Sequence, residues 1–293
     1  MVGEWLRTIL EDHVAVGDAV TSITVPLPTS NFIGGLDIRL SGTGGSGTVV
    51  LDDIITKVEV IANGSAVIKS LSGGDLRRIA TFDTGVVPEI TEDSDGTADG
   101  ITVPVSFGRY VRDLLCMLPA KIFKTLQLKI TTGTLIATTV FATGTVKLDV
   151  VCEEYVSNDD PLSKLILKDT EVESHTSAAQ TKDIELPLGN RYRRAMVFCT
   201  EGQTDLELIQ VRINNGAVIP LTTRYDISLF EDTLEYKLNA AFTDVTMVDF
   251  DKRGDLSGCL VSSRFNDLKL RYTEQAGSTI RTVTQEVVSI RGS

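Results

Sequence analysis

The sequence has little of what enzyme active sites usually need. Its 293 residues include two histidines and one tryptophan. His13 lies near the N-terminus and His175 in a Ser/Thr-rich stretch, and both contexts favour solvated surface histidines over catalytic bases. The usual Cys/His zinc spacing and the GxxxxGK[ST] phosphate loop are also missing. These absences predict a protein that is not an enzyme, although the many carboxylates leave a glycosidase-like pair open.

Cysteine is scarce as well, and its four copies include no Cys-x-x-Cys pair. Cys116, Cys152, Cys199 and Cys259 each lie in an apolar stretch, which predicts buried free thiols. The N-terminus lacks the charged, apolar and small-residue pattern of a signal peptide, and no apolar run approaches 18 residues. We therefore expect the protein to be made in a reducing cytoplasm.

Positive charge is in the minority, with 28 basic and 40 acidic residues and a net charge of −12. A surface of this sign repels both phosphate backbones and anionic lipid. The sequence therefore predicts no direct contact with nucleic acid and no electrostatic attraction to a membrane.

Two similar segments in the two halves of the chain are its most informative feature. VEVIANGSAVIKSL begins at Val58, and VRINNGAVIPL begins at Val211. Asn63-Gly64 and Asn215-Gly216 are typical of a tight turn with positive φ at both central residues. Each segment therefore predicts an antiparallel hairpin.

The similarity continues outward from the hairpins in the same order. Residues 23–27 match 184–188, and Phe123 with its following Leu-x-Leu strand matches Phe265 with its own. The number of residues that separates a segment from its match in the second half falls steadily along the chain. This fall indicates longer loops in the first half. We infer that one β module was duplicated and fused.

Residues 1–20 are predicted to form a separate N-terminal arm. Trp5, Leu6, Ile9 and Leu10 recur at helical spacing, which indicates an amphipathic helix over residues 4–14. The apolar face of this helix would pack on a protein neighbour, which its acidic character favours, or would touch a bilayer.

From residue 21 onward, apolar residues recur at every second position, which is typical of half-buried antiparallel strands. Short helices are predicted at 73–79 and at 110–118, the second ended by Pro119. Loops are predicted at 42–47 and 91–100, with a connector at 155–162. The result is an all-β chain of two tandem modules, at 21–156 and 157–293, with short helices in loops. Each module has about seven or eight predicted strands, which fits a jelly roll or another Greek-key sandwich.

One acidic loop is a candidate cation site. Asp93, Asp95 and Asp99 place oxygen ligands at intervals around glycines, as calcium prefers. The loop lacks the distal glutamate of a helix-loop-helix calcium site, so a simple solvated loop is the alternative. No other cofactor is expected.

Three features occur in both halves: an I-x-[VL]-P-L strand, an Asn-Gly hairpin, and the matched segments 118–123 and 260–265. Through these features the sequence resembles one family across nearly its whole length. This family comprises the double jelly-roll major capsid proteins of tailless icosahedral viruses with an internal membrane, most closely the corticovirus type. The resemblance implies two tandem eight-stranded jelly-roll sandwiches. It also implies a structural subunit of the virion shell, made in the host cytoplasm. It also implies homotrimers of pseudo-hexameric outline, in contact with neighbouring capsomers, minor capsid, penton or spike proteins, and the internal membrane.

A tandem carbohydrate-binding module is the alternative function, because jelly rolls also serve as lectins. Sugar platforms need exposed Trp and Tyr side chains, and the chain has one Trp and six Tyr. The low aromatic content favours the structural subunit.

Overall fold

A computed structural model describes residues 3–45, 54–91, 98–110, 112–133, 141–157, 165–176, 181–199, 206–238, 242, 244–274 and 279–289. The chain divides into two units, each with its own dense internal contacts. The first extends to Leu167, and the second runs from Lys168 to Val288.

The first unit is built from strands that alternate along the chain between two sheets. Its elements are β1 (Glu4–Ala15), β2 (Ser22–Pro26), β3 (Phe32–Thr43), β4 (Ile55–Ala62), β5 (Ala66–Leu71), α1 (Gly73–Thr84), β6 (Ile90–Thr91), β7 (Ala98–Ser106), β8 (Leu118–Pro119), a 3₁₀ turn (Ala120–Ile122), β9 (Leu126–Thr132) and β10 (Lys147–Val156). One sheet has the order β1, β10, β3, β7, β6, and the other has the order β5, β4, β9, β2. Neighbours in each sheet are antiparallel and mostly distant in sequence, which is jelly-roll topology.

Both sheets of the first unit bury one row of apolar side chains. Ile38, Val103 and Val150 come from the first sheet, and Val60 and Leu128 come from the second. All five are fully buried, while the residues between them along each strand are more polar. The period-2 alternation of the sequence therefore creates the core of the sandwich.

The second unit repeats this arrangement in the same order. Its elements are β11 (Leu165–Thr176), β12 (Thr181–Glu185), β13 (Arg191–Cys199), β14 (Leu206–Ile213), β15 (Val218–Arg224), α2 (Tyr225–Glu235), β16 (Val245–Asp249), β17 (Leu260–Val261), a 3₁₀ turn (Ser262–Arg264), β18 (Leu268–Glu274) and β19 (Thr279–Ser289). Its sheets have the orders β11, β19, β13, β16 and β12, β18, β14, β15. Their buried side chains, among them Val197, Val211 and Leu270, form one apolar cluster.

The two units are equivalent strand by strand. A helix follows β5 and β15 directly, and a 3₁₀ turn precedes β9 and β18. Each unit contributes four main strands to each of two sheets. The predicted pair of eight-stranded jelly rolls with short helices in loops is confirmed.

The hairpin tips make the same contact in both units. Asn63 and Gly64 have φ of 51° and 77°, and the Asn63 side chain accepts a 2.8 Å bond from the N–H of Lys124. In the second unit, Asn214 accepts the equivalent 2.8 Å bond from the N–H of Asn266. Asn214, Asn215 and Gly216 all have positive φ. The structural counterpart of Asn63 is thus Asn214, one residue before the Asn-Gly pair that the sequence comparison aligned.

The predicted N-terminal helix is wrong, because residues Glu4–Ala15 form strand β1. β1 pairs antiparallel with β10, with register shifts between Ile9 and Glu11 and between Glu11 and Val14. Leu6 and Ile9 are apolar but exposed, so the apolar residues of β1 do not mark one buried face, and their spacing imitates a helix. β1 is therefore the first strand of the first jelly roll and not a separate arm.

The second predicted helix, at 110–118, is also wrong for its described residues, which form bends and the start of β8. Arg109 and Asp113 form a buried bidentate ion pair, with Nε to Oδ2 at 2.6 Å and Nη2 to Oδ1 at 2.8 Å. Asp113 also accepts bonds from the backbone N–H groups of Arg109 and Leu115. Burial raises the pKa of Asp113, but these bonds outweigh it, and the net pKa is lowered. The ion pair organises a compact loop where apolar spacing suggested a helix.

Helix α1 is confirmed and extends five residues beyond the predicted end, to Thr84. Ser72 and Asp75 form a capping box at its start, and Gly85 ends it in the left-handed conformation. The predicted loop at 42–47 begins later than expected, since Gly42 and Thr43 still belong to β3. The four cysteines are buried free thiols, as predicted.

A charge on an inward position should prevent folding. We expect Leu128→Asp to lose cooperative thermal unfolding, because a buried carboxylate with no partner costs about 4 kcal/mol or more. Gln127→Asp is the matched control, since Gln127 is exposed on the same strand. Circular dichroism melting tests both variants. A cooperative transition for Leu128→Asp at the control temperature would contradict the assigned register.

Gly64 tests the hairpin conformation without changing any packing. A Cβ at this position would meet no atom within 4 Å, so the cost of Gly64→Ala comes from positive φ alone. We expect a loss of about 1–2 kcal/mol in unfolding free energy. Ser65→Ala, at the neighbouring exposed position, should change the denaturation midpoint little. Equal midpoints for the two variants would refute the turn geometry.

Candidate functional site

The histidine and cysteine side chains nearest to reactive chemistry have different environments. The ring of His13 is exposed and contacts the carboxylates of Asp12 and Asp149. Burial raises the thiol pKa of Cys152, and it raises that of Cys259 to about 12. A protonated, buried thiol is a poor nucleophile, so these two cysteines are poor candidates for a catalytic group.

The predicted calcium loop is only partly described. Asp93 and Asp95 lie outside the described residues. Asp99 is buried within β7, where it pairs across the sheet with Gly42. The predicted loop at 91–100 is thus wrong for its last three residues, which already belong to a strand. Calcium binding stays a prediction.

β1 carries the four residues that were expected to contact a neighbour or a membrane. Trp5 lies against Tyr155, with ring centroids 5.2 Å apart, and the Arg112 guanidinium is 5.8 Å from its ring. Leu6 and Ile9 are exposed, and Leu10 is half-buried. β1 is also the last strand of its sheet, so none of the described strands pairs with its outer edge. Both described helices are too short or too polar to cross a bilayer.

Helix α2 presents an apolar stripe to solvent. Ile227, Phe230 and Leu234 follow each other at spacings of three and four, and Phe230 and Leu234 are 64% and 63% exposed. The equivalent helix α1 instead buries Leu76, Ile79 and Phe82. Exposed apolar groups that line up on one helix face usually mark an interaction surface.

The opposite face of α2 is held by a buried polar network. Asp232 accepts bonds from the Thr246 hydroxyl at 2.8 Å and from the Met247 N–H at 2.9 Å. Ser228 and Thr246 share a further bond of 2.6 Å. Burial raises the pKa of Asp232 to about 7, although the two accepted bonds oppose the shift. These hydrogen bonds fix the orientation of α2, and therefore the position of the apolar stripe on its exposed face.

An apolar groove lies beside α1 in the first unit. Its volume is about 310 Å³, at the lower end of the range for ligand sites. Its apolar walls are formed by Leu76, Ile79, Ala80, Val86, Pro88 and Pro104. Lys69 and Asp83 supply charges at its border.

Sequence reasoning missed both of these surfaces. The match of Asp226-Ile227 to Asp75-Leu76 could have predicted α2, because α1 was predicted at the same place in the first half. The groove has no sequence signal, since its residues come from β5, α1, the segment after α1, β7 and Tyr110.

No protein-family model and no curated protein matches the sequence. Solved structures do match. The STIV MCP, from Sulfolobus turreted icosahedral virus, has a TM-score of 0.76 at 17% identity, over 98% of this chain and 97% of its own. The major capsid protein P2 from bacteriophage PM2 has a TM-score of 0.69 at 15% identity, over 98% and 100%. PBCV-1 VP54, fitted into a reconstruction of the virophage Sputnik, has a TM-score of 0.72 at 10% identity, over 98% and 94%. The chain has the double jelly-roll fold of these proteins.

Asp232 should make stability depend on pH. Its folded pKa of about 7 exceeds its ordinary value of 3.8, so the folded state holds a proton that the unfolded state releases between these values. The free energy of unfolding should therefore fall as pH rises from about 4 to 7. Asp232→Asn is neutral throughout and should flatten this slope, with a change of about 2–4 kcal/mol across the window.

Denaturant titrations at pH 4, 5.5, 7 and 8 measure the slope. The residual slope should be small but not zero, because burial also raises the pKa of Glu235 and of Glu286. Asp226→Asn, at the exposed start of the same helix, is the control. Identical slopes for wild type and Asp232→Asn would contradict the buried position of this carboxyl.

Proposed function

We propose that this chain is a major capsid protein, a structural subunit whose copies tile the shell of an icosahedral virion. The observation that carries this proposal is the fold similarity along the whole chain. Both jelly rolls match together, over 97% of the STIV MCP and all of PM2 P2. A match to a single sandwich would have left many functions open, since that architecture serves lectins and enzymes too.

The duplication supports a trimeric building block. Three copies of a chain with two equivalent jelly rolls supply six similar modules around one axis. Such a ring has a nearly hexagonal outline and can pack against six neighbours, which suits a continuous shell. Trimer formation and contact between trimers are thus the expected self-association.

The surfaces of both units support self-association as well. Among the described residues, the α2 stripe and the groove beside α1 expose apolar groups, and β1 ends its sheet. The net charge of −12 disfavours a direct role in genome binding. Minor capsid, penton or spike proteins and an internal membrane are further expected partners, with Leu6 and Ile9 as candidate contacts.

A structural role without catalysis agrees with the capsid proteins that share the fold. The carbohydrate-binding alternative has no support. A sugar platform needs an open aromatic face, and Trp5 packs between Tyr155 and Arg112.

The native mass of the purified chain tests the proposal. Light scattering should give a discrete species near three times 31.7 kDa, and electron microscopy of this species should reveal a six-lobed outline. A monomer at high concentration would contradict the proposed building block. Adding calcium to the same sample tests the predicted cation dependence.

Phe230 should contribute to assembly and not to folding. Phe230→Ser removes the most exposed side chain of the α2 stripe, and buried aromatic anchors at interfaces are worth about 2 kcal/mol or more. The association constant between copies should fall roughly thirtyfold. Glu231→Gln, the exposed neighbour, is the control, and both variants should keep the wild-type melting temperature of the diluted chain. Unchanged association of Phe230→Ser would exclude the stripe as a self-contact.

A further inference from the structure

Three donor side chains converge at the end of β1, away from the surfaces described above. Nδ1 of His13 lies 2.7 Å from Oδ1 of Asp12 and 3.1 Å from Oδ1 of Asp149. All three donor atoms lie within 4.8 Å of one another. Asp149 comes from β10, so two neighbouring strands build the group.

The backbone of β1 is shaped to bring these groups together. The register with β10 is irregular between Glu11 and Val14, and His13 there has a φ of 53°. The backbone N–H of His13 donates a 2.7 Å bond to Oδ1 of Asp149. The left-handed conformation costs a non-glycine residue about 1–2 kcal/mol, and it turns the imidazole toward both carboxylates. A regular strand would place successive side chains on opposite faces of the sheet.

The spacing of the donor atoms suits a small divalent ion. Zinc binds imidazole nitrogen and carboxylate oxygen at about 2.0–2.2 Å, so adjacent ligands stand about 3.0 Å apart at right angles and about 3.4 Å apart in a tetrahedron. The 3.1 Å separation between His13 and Asp149 lies within about 0.3 Å of both values. The 2.7 Å separation between His13 and Asp12 is about 0.3 Å shorter than the right-angle value and about 0.7 Å shorter than the tetrahedral one, so the exposed Asp12 side chain would have to move outward on binding.

The charge of the group also suits a cation. Two carboxylates and a neutral imidazole carry a net charge of −2, on a chain that is itself acidic. The hydrogen bond to Asp12 and the charge of Asp149 raise the pKa of His13, and Lys147 opposes this shift, so a bound cation would replace a proton on the imidazole. The guanidinium of Arg39, the cross-strand partner of Asp149, lies 4.0 Å from the carboxylate of Glu89.

The types of ligand atom in this group favour a transition metal over calcium. Calcium prefers oxygen ligands alone, whereas imidazole with carboxylate is a usual set for zinc and its neighbours. Asp12 and His13 are 73% exposed and Asp149 is 19% exposed, so the remaining coordination positions face solvent. Water, or a side chain from another molecule, can complete the sphere.

We propose that Asp12, His13 and Asp149 form a binding site for a divalent transition-metal ion, with zinc as the best match. The ion ties the irregular end of β1 to β10 and fixes the outermost strand of the first jelly roll. This site is distinct from the predicted calcium loop and does not depend on the proposed function.

Titration calorimetry of the untagged chain with zinc chloride tests the site. One ion per chain should bind, and His13→Asn should weaken binding at least tenfold. Asparagine tolerates positive φ, so this variant removes the imidazole and keeps the backbone conformation. Asp149→Asn keeps an oxygen acceptor for the N–H of His13, and it should weaken binding similarly. His175→Gln, which changes the only other histidine, should bind zinc as the wild type does.

Nuclear magnetic resonance of the two imidazoles identifies the ligand directly. Zinc should shift the ring signals of His13, which are assigned by their absence in His13→Asn, and should leave those of His175 in place. The melting temperature should rise with zinc in the wild type and not in Asp149→Asn. Zinc binding of equal affinity in His13→Asn, or a preference for calcium over zinc, would overturn the proposal.

Discussion

The burial of one apolar face by each of two facing antiparallel sheets is the constraint on which the rest of the structure depends. In both units the strands that pair in a sheet are far apart along the chain, as with β1 and β10 or β13 and β19. In β3, β9 and β10 the alternation of buried and less buried residues directs distant segments to the same core, because a slip of one residue would turn their apolar side chains to water. Helices, hairpin tips and loops connect the strands of these two sheets. Their sequence and length can vary while the sheets and the core between them are kept.

Where alternation is regular, the sequence predicted the structure well. β3, β9, β10 and β18 follow a clean period of two, and their strands lie where the pattern placed them. The helix prediction for β1 was wrong because Leu6 and Ile9 are apolar yet exposed, so apolar spacing did not report burial there. The helix prediction after Arg109 was wrong because a buried ion pair outweighs local helix spacing. No local pattern could reveal the group around His13, since Asp149 is 136 residues away and only the pairing of β1 with β10 joins them.

Duplication followed by divergence explains how two similar modules carry different surfaces. The contact of Asn63 with the segment before β9 recurs at Asn214 before β18, so the frame has been kept in both copies. The helices that follow the hairpins have diverged. α1 is largely buried and borders a groove, whereas α2 exposes an apolar stripe above a polar anchor. Identical modules would offer identical faces, and a chain with two different faces can make directional contacts between copies.

The pairing of β1 with β10 also determines when the protein can fold. Glu4 lies opposite Val156, so the first sheet cannot close until about half of the chain has left the ribosome. Until then β1 has no strand to pair with, and such long-range closure is slow. Because the chain divides into two compact units, we expect the first unit to begin folding while the second is still being synthesised. Fusion in tandem thus favours folding in two steps of moderate size.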